Sequence, residues 1–408
     1  MAFDKIFKKI DEVSLVKGGK RLPKDKNLIQ IPTEHPYIRL VDIKNNEVDK
    51  SNLMYIDNET FSGISNYVVE ENDVCLAIVG NTIGLVFYIE KIMEGANLTE
   101  NAVRIKFNEE INPRYAYYYL LSDKGQGQIK SRIVGSAQGK LPIYNVKNLE
   151  LPIPKKEVQN YIANFLWNID RKISLNYQMI FNLEQLAQTI FNRWFVDFEF
   201  PNENGEPYKS SGGEMVESEL GLIPKVWSVG TFGEIASIAS GKRPKIRNDV
   251  ASDQTNIPLI GASKIIGYTN EILYNEAMVV IGRVGTHGVI QRFNQPCWPS
   301  DNTLVIISDY LEYVFQFLST VDYKSLNRGS TQPLITQTDI KGLKLTLATK
   351  ELFVLFDKEQ SIYSNIISSK IIENEKLIEL RDTLLPKLLS GEIEIPSEIE
   401  VIERVSIP

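Results

Sequence analysis

Side chains able to do chemistry are few in this sequence, and their spacing excludes most catalytic designs. The only histidines are His35 and His287, with no HExxH and no histidine–cysteine cluster. A zinc centre or a histidine general base is therefore not expected. Cys75 and Cys297 are the only cysteines, which argues against a disulfide framework and against a thiolate metal site. No Gly-Lys-Ser/Thr occurs, so a Walker A loop is absent, and no G-x-G-x-x-G follows a strand pattern. We expect no catalytic residue, metal or cofactor on this chain.

Binding chemistry is better represented. Lys17, Lys20, Arg21, Lys24 and Lys26 surround Gly18 and Gly19, and a related stretch carries Lys242, Arg243, Lys245 and Arg247 after Gly241. Glycines let a backbone approach phosphates and lysine or arginine neutralises them, which positions a protein on DNA without reading bases. A solvated surface loop would look the same. A second polar group is Gln126, Gln128, Lys130, Arg132, Ser136, Gln138 and Lys140. A third holds Lys324, Asn327, Arg328, Ser330, Thr331, Gln332, Thr336 and Gln337. Gln, Asn and Arg form the bidentate contacts to adenine and guanine edges in the major groove; structural turn roles are the alternative. Asn81, Thr82 and Ile83 stand opposite Gly285, Thr286 and His287, and Arg283 aligns with Val79. Asn112-Pro113-Arg114-Tyr115 has a faint likeness to the Asn-Pro-Pro-aromatic loop of adenine methyltransferases. It lacks the second proline and an upstream glycine-rich loop, and a helix start at Pro113 explains it.

These residues need elements to hold them, and the chain supplies the same set twice. Sliding the sequence along itself by 194 positions lays GSAQGKLPIYNVKNLEL (135–151) on GSTQPLITQTDIKGLKL (329–345) without a gap. At the Gly-Lys-Arg stretch (Gly19, Gly241) the shift is 222, so the first copy is the longer of the two between these landmarks. Each copy reads as short β-rich runs (37–43 and 74–79 in the first) followed by an aromatic helix, 114–122 and 310–318.

After each copy comes a long helix. Over 156–196, Ile162, Leu166, Ile169, Ile173, Asn176, Ile180, Leu183, Ala187, Ile190 and Trp194 recur at steps of four and three, a seam for a partner helix. At about 1.5 Å per residue it runs roughly 60 Å, too long for a helix buried in one compact domain. The partner spans 350 to about 389, with Thr349 as N-cap and Pro386 and Gly391 marking its end. Its seam is Phe356, Gln360, Tyr363, Ile367, Lys370, Asn374, Leu377, Arg381, Leu384 and Leu388, the polar members serving as register devices or edge positions. Antiparallel pairing with a pseudo-twofold axis would set two domain centres roughly 50–60 Å apart, more than the ~34 Å turn of B-DNA. We expect a mixed α/β (α+β) protein. Its segments are a recognition domain (1–155), a spacer helix (156–200), an exposed, flexible acidic linker (201–219), a second recognition domain (220–348), a second spacer helix (349–391) and an acidic tail (392–408). Aromatic Trp194, Phe195 and Phe198 crowd the first helix end, and packing is the ordinary role of such residues. Five aromatics in ten residues (191–200), a density that two helices alone would strain to bury, add a docking protein as a second reading.

The formal charge of −7 does not speak against DNA once it is located. Residues 199–219 carry −5 and 392–408 carry −4, so the remainder stands at +2. No apolar run approaches the ~18 residues of a membrane span, and the N-terminus lacks an apolar signal core; a cytoplasmic protein is expected.

Several landmarks occur in a recognisable order: Ile190-Phe191-Asn192-Arg193-Trp194-Phe195-Val196-Asp197-Phe198 with Pro201 behind it, Glu219-Leu220-Gly221-Leu222-Ile223-Pro224-Lys225-Val226-Trp227, Gly-Ser-Ala/Thr-Gln before each helix, and Leu384-Leu385-Pro386-Lys387-Leu388-Leu389-Ser390-Gly391-Glu392-Ile393. In these the chain resembles the specificity subunit of type I restriction–modification systems over nearly its whole length; Val226 replaces the glycine common before that tryptophan. The resemblance implies a non-catalytic DNA reader that joins two modification (methyltransferase) subunits. The assembly would methylate adenine in a bipartite target using S-adenosylmethionine, and restrict unmodified DNA with ATP- and Mg-dependent translocase–nuclease subunits. All cofactors would belong to the partners. A self-sufficient methyltransferase or nuclease, and a two-headed coiled-coil scaffold without DNA affinity, are the competing readings.

Overall fold

The structure, a computed structural model, describes residues 6–135, 139–284, 288–323, 325–326, 334–393 and 395. The chain falls into two compact units. Asn176–Ile372 forms the second, and the stretches flanking it form the first. Each long helix is therefore shared between units rather than being a segment apart.

In the first unit a four-stranded antiparallel sheet runs in the order Ser14–Gly18, Ala102–Phe107, Val74–Ala77, Val86–Tyr88. One of its two inner strands, AVRIKF, is buried at every position but Lys106, as expected of a strand covered on both faces. The exception in chemistry is Arg104, which meets Asp73 and Glu70, each at 2.9 Å. One face packs Val16, Leu76, Ile78, Val103 and Ile105 against the aromatic helix Pro113–Leu121. That helix is capped by Asn112, whose Oδ1 accepts from the N–H groups of Arg114 and Tyr115, and Pro113 fills its first turn. The other face packs Ile38, Cys75, Phe87 and Leu98. A three-stranded sheet, Met54–Tyr55, Pro36–Ile38, Asn97–Leu98, completes the unit.

The second unit repeats this plan: Ser237–Ser240, Thr303–Ile307, Met278–Gly282, Ile290–Phe293, with Ile265–Thr269, Ile257–Ile260, Trp298–Pro299 as the smaller sheet. The ribbon leading to each long helix keeps both sequence offsets. Ile6 pairs with Ile153 in the first unit, and Ser228 pairs with Leu347 in the second. Ser228 stands at the larger offset from Ile6, and Leu347 at the smaller one from Ile153. Between these landmarks the offset drops to 205 at Ala77 and Gly282, the residues paired with Ala102 and Thr303. Much of the extra length of the first unit thus precedes that strand and includes the helix Asn58–Ile64.

The first long helix spans Lys156–Phe191 and the second Lys350–Ser390. Within the first unit Asp170 meets Arg381 at 2.8 Å and the Asn374 amide donates to the Ile173 carbonyl at 3.4 Å. Within the second, Trp194 lies 5.6 Å from Phe356 and Phe195 5.9 Å from Phe353, ring centre to ring centre. In both units one residue number rises as the other falls, so the paired segments are antiparallel. Ile162, Leu166, Ile169, Ile173, Asn176, Ala187, Phe356, Gln360, Asn374 and Leu388 are buried. Ile180, Leu183, Ile190, Tyr363, Ile367, Leu377 and Leu384 are partly so, as the seam predicts. Thr349 caps the second helix through the Leu352 N–H at 3.4 Å. Pro386 does not end it. The helix continues to Ser390 and stops at Gly391, whose φ of +80° is the left-handed conformation of a C-terminal cap.

Two expectations are overturned. The acidic linker is exposed but ordered: Asn202 and Tyr208 donate to the carbonyls of Glu206 and Phe200, each at 2.8 Å, and Met215–Ser218 pairs with Gly221–Pro224. Trp194 and Phe195 are buried among Phe191, Trp227, Tyr313, Phe353 and Phe356, and Phe198 packs edge-on against Trp227. These rings form the core of the second unit, which explains their density without a docking protein.

Candidate nucleic-acid interface

Alternating strand directions bring several loops to one end of each four-stranded sheet. In the first unit the chain leaves Gly18 and Ala77 and re-enters at Val86 and Ala102 on that side. The Gly19 and Lys20 N–H groups donate to the carbonyls of Ala102 (2.9 Å) and Leu98 (2.8 Å). The turn at Gly80–Thr82 is held by Gly80 N–H to the Gly139 carbonyl at 3.2 Å, and Leu141 N–H donates to Ile78 at 2.8 Å. Lys20, Arg21, Asn81, Thr82 and Lys140 are thereby gathered, exposed, at one end of the sheet, with Lys17 on the adjoining strand and Lys24 further along the loop.

The second unit builds the same end by the same hydrogen bonds. Gly241 and Lys242 donate to Thr303 (3.1 Å) and Pro299 (2.9 Å), and Ile335 donates to Arg283 at 3.1 Å. Lys242 and Arg243 are exposed here, with Lys245 and Arg247 following in the loop. One detail was not foreseeable: the carbonyl of the loop lysine is braced from different strands. The Tyr37 hydroxyl donates to Lys20 at 2.7 Å, and the Trp298 indole donates to Lys242 at 2.6 Å. Burial, with Glu100 nearby, pushes Tyr37 up to about 12 and keeps it a donor.

The glycines answer to the domain itself rather than to phosphates. A Cβ on Gly19 would sit 2.1 Å from the Thr99 carbonyl oxygen, and one on Gly241 2.1 Å from that of Ser300. The close approach they permit is between loop and sheet end.

The basic side chains differ in how they are held. Arg21 meets Glu100 at 2.7 Å, Lys26 meets Glu59 at 2.5 Å, Lys245 meets Glu271 at 3.6 Å and Arg247 meets Asp249 at 3.4 Å. Exposed pairs of this kind contribute only about 0–1 kcal/mol, so a phosphate can replace the carboxylate at little cost. Gln126 donates to the carbonyls of Gly84 and Leu120, Gln128 bridges Tyr119 and the Glu150 backbone, and Arg132 donates to the Gln128 carbonyl. The structure gives these three a bracing role around the helix Asp123–Ser131, from which Lys130 projects into solvent.

Arg283 requires a correction. Its N–H donates to Asn302 at 3.0 Å and its carbonyl accepts from Ile335, the bonds that Ile78 makes with Asn101 and Leu141. It therefore matches Ile78, not Val79, and a guanidinium stands where the first unit places a core isoleucine. Arg283 donates to the Ser240 hydroxyl at 3.1 Å, and the Gln337 amide lies 3.0 Å from the same oxygen. Gln138, Thr286, His287, Asn327, Arg328, Thr331 and Gln332 lie outside the described residues.

Two similar recognition units, differing in the loops at equivalent sheet ends and each packed on paired long helices, define a duplicated binding protein. The family model for the type I restriction modification DNA specificity domain matches residues 4–185 and 224–379, and the chain belongs to that family. It is 24% identical over 438 residues to the type I restriction enzyme HindI specificity subunit of Haemophilus influenzae, covering 88% of this chain and 94% of that one. It is 26% identical over 309 residues to the MjaIX specificity subunit of Methanocaldococcus jannaschii, covering 68% of each. In fold it is similar to the type I restriction–modification S subunit from M. genitalium, with a TM-score of 0.65 over 95% of this chain and 96% of that one at 18% identity. Among the described residues no helix is long and apolar enough to cross a membrane.

Proposed function

We propose that this chain is the DNA-reading subunit of a type I restriction–modification complex, each recognition unit reading one half of a bipartite target through its loop-bearing sheet end. The observation that carries the reading is the duplication itself: one hydrogen-bond frame used twice, with different side chains at matched places, such as Arg283 against Ile78. Two frames with unlike loops suit two unlike half-sites, and Asn, Gln, Arg and Lys are the side chains that read base edges and hold phosphates.

The chain contributes no catalysis in this reading. Adenine methylation, with S-adenosylmethionine, belongs to two modification subunits, and ATP- and Mg-dependent restriction belongs to further partners. A docking face for the modification subunits is supported in the second unit by Met179 and Leu186 on one helix and Leu355, Ile362 and Ile366 on the other, 37–59% exposed. Each set lies about 100° round its helix from the buried seam, and antiparallel pairing puts both on one side.

The test is to map methylated adenine across the genome in cells expressing the chain with its modification subunit, and in cells lacking only this chain. A split motif present in the first and lost in the second is expected. An active methyltransferase marking the same motif without this chain would remove it from the role of reader.

A further inference from the structure

At the end of the first unit's sheet away from the recognition loops, an open pocket of about 400 Å³ is lined by Arg114, Lys50 and Arg171 among others. Arg114 comes from the start of the aromatic helix, Lys50 from a short turn and Arg171 from the first long helix. The Arg114 guanidinium carbon lies over the Trp167 ring, 4.2 Å from its centre, with the Tyr88 ring centre at 5.7 Å. Tyr88 is itself fixed by its hydroxyl donating to Asn72 at 2.5 Å. Among the described residues no carboxylate lies within ion-pair distance of Arg114, Lys50 or Arg171. Glu71, Glu90 and Lys91 share the rim, and Lys91 is engaged by Glu94 and, at 3.9 Å, by Glu71. The lining carries a net charge of +2.

The second unit is a built-in comparison. Strand register matches Tyr88 with Arg292, because their partners Val74 and Val279 pair in turn with Ile105 and Ile306. Helix capping matches Arg114 with Glu312: Asn112 accepts the N–H groups of Arg114 and Tyr115, and Asp357 accepts those of Glu312 and Tyr313. In the second unit the two matched residues neutralise each other, Arg292 meeting Glu312 at 2.7 Å while stacking on Phe315 at 4.2 Å. The first unit has Tyr88 at the place of that arginine and Arg114 at the place of that carboxylate, so the internal ion pair is replaced by a cation with no carboxylate partner among the described residues.

We propose that this pocket holds a backbone phosphate of the bound DNA, outside the bases read by the recognition loops. A guanidinium fixed on an aromatic plate presents its donors as a fork that matches phosphate bidentately. Lys50 and Arg171, exposed and arriving from separate elements, suit a repeating backbone charge. The strand between the two sheet ends, Val74–Ala77, is four residues long, roughly 13 Å. A contact to the backbone alone positions a duplex and reads no sequence. This inference rests on the chain being a DNA specificity subunit.

The test measures affinity for a duplex bearing the mapped motif over a series of salt concentrations, using the full chain with its modification subunit. Variants are Arg114→Gln and, at exposed positions that leave the fold alone, Lys50→Ala with Arg171→Ala. Each lost phosphate contact should make the slope of log K against log salt shallower by about one, with the methylated motif unchanged. An unchanged slope in both variants overturns the inference. So does loss of the modification subunit without a change in slope, which would make the occupant a protein carboxylate. A wild-type complex with no salt-dependent affinity would instead defeat the DNA reading itself.

Discussion

Asp357 is the residue whose chemistry most plainly depends on the fold. It accepts from the N–H groups of Glu312 at 3.2 Å and Tyr313 at 3.0 Å, capping the aromatic helix of the second unit from the long helix beneath it. Burial pushes its carboxyl up to about 6, overriding those hydrogen bonds and the nearby Arg292, and Glu312 adds to the rise. An ordinary aspartate titrates near 4. The folded state thus holds a proton that the unfolded chain releases, and the associated stability is full below about pH 4 and lost as pH rises through about 6. Between pH 4 and 7 the wild type should lose about 1–2 kcal/mol relative to Asp357→Asn, seen in denaturant midpoints across that range. A constant difference would show that Asp357 does not titrate there. Nothing in the sequence singled this residue out, because its environment is made by Arg292 and Glu312, 65 and 45 positions away. Arg283 is visible in the sequence as a basic residue, but alignment by sequence alone sets it one position away from its structural counterpart. Only the hydrogen-bond frame shows that it replaces Ile78.

At the scale of elements the long helices were the most legible part, since a seam of period 3.5 survives whatever surrounds it. Their ends were less so. Pro386 reads as a stop, yet a proline costs a helix only one hydrogen bond and some strain, and packing of Leu384, Leu385, Leu388 and Leu389 on the first unit's core carries the helix past it. The aromatic run at Trp194 reads as excess because the second unit that buries it follows later in the chain. Among seam positions, Gln360 is 1% exposed and neither amide atom has a partner among the described residues. An unmet buried amide costs about 1–3 kcal/mol. Gln360→Leu should therefore raise the denaturation midpoint by that order, and a lower midpoint would show that the amide is satisfied in solution.

At the scale of the molecule, each unit is closed by a helix end that belongs to the other half of the sequence. Leu388 and Leu389 sit in the core of the first unit. Trp194 and Phe195, which the sequence repeat lays on those two positions, sit in the core of the second. A fragment ending near Pro201 has the first recognition unit but not the residues that cover it. It should fold only as a dimer, using Phe191, Trp194 and Phe195 of a second copy as the cover. Sedimentation equilibrium would decide; a folded monomer would contradict this closure.

The same feature bears on how the protein is made. Residues 6–175 leave the ribosome with one part of their core still open, the part that Leu388 and Leu389 complete. Its cover, centred on Leu388, follows only after the whole second unit has been made, a delay of roughly 10–40 s at about 5–20 residues per second. During that interval a nascent chain is a target for chaperones or for a neighbouring nascent chain on the same message. A prematurely terminated message yields no working half-reader unless two such products meet.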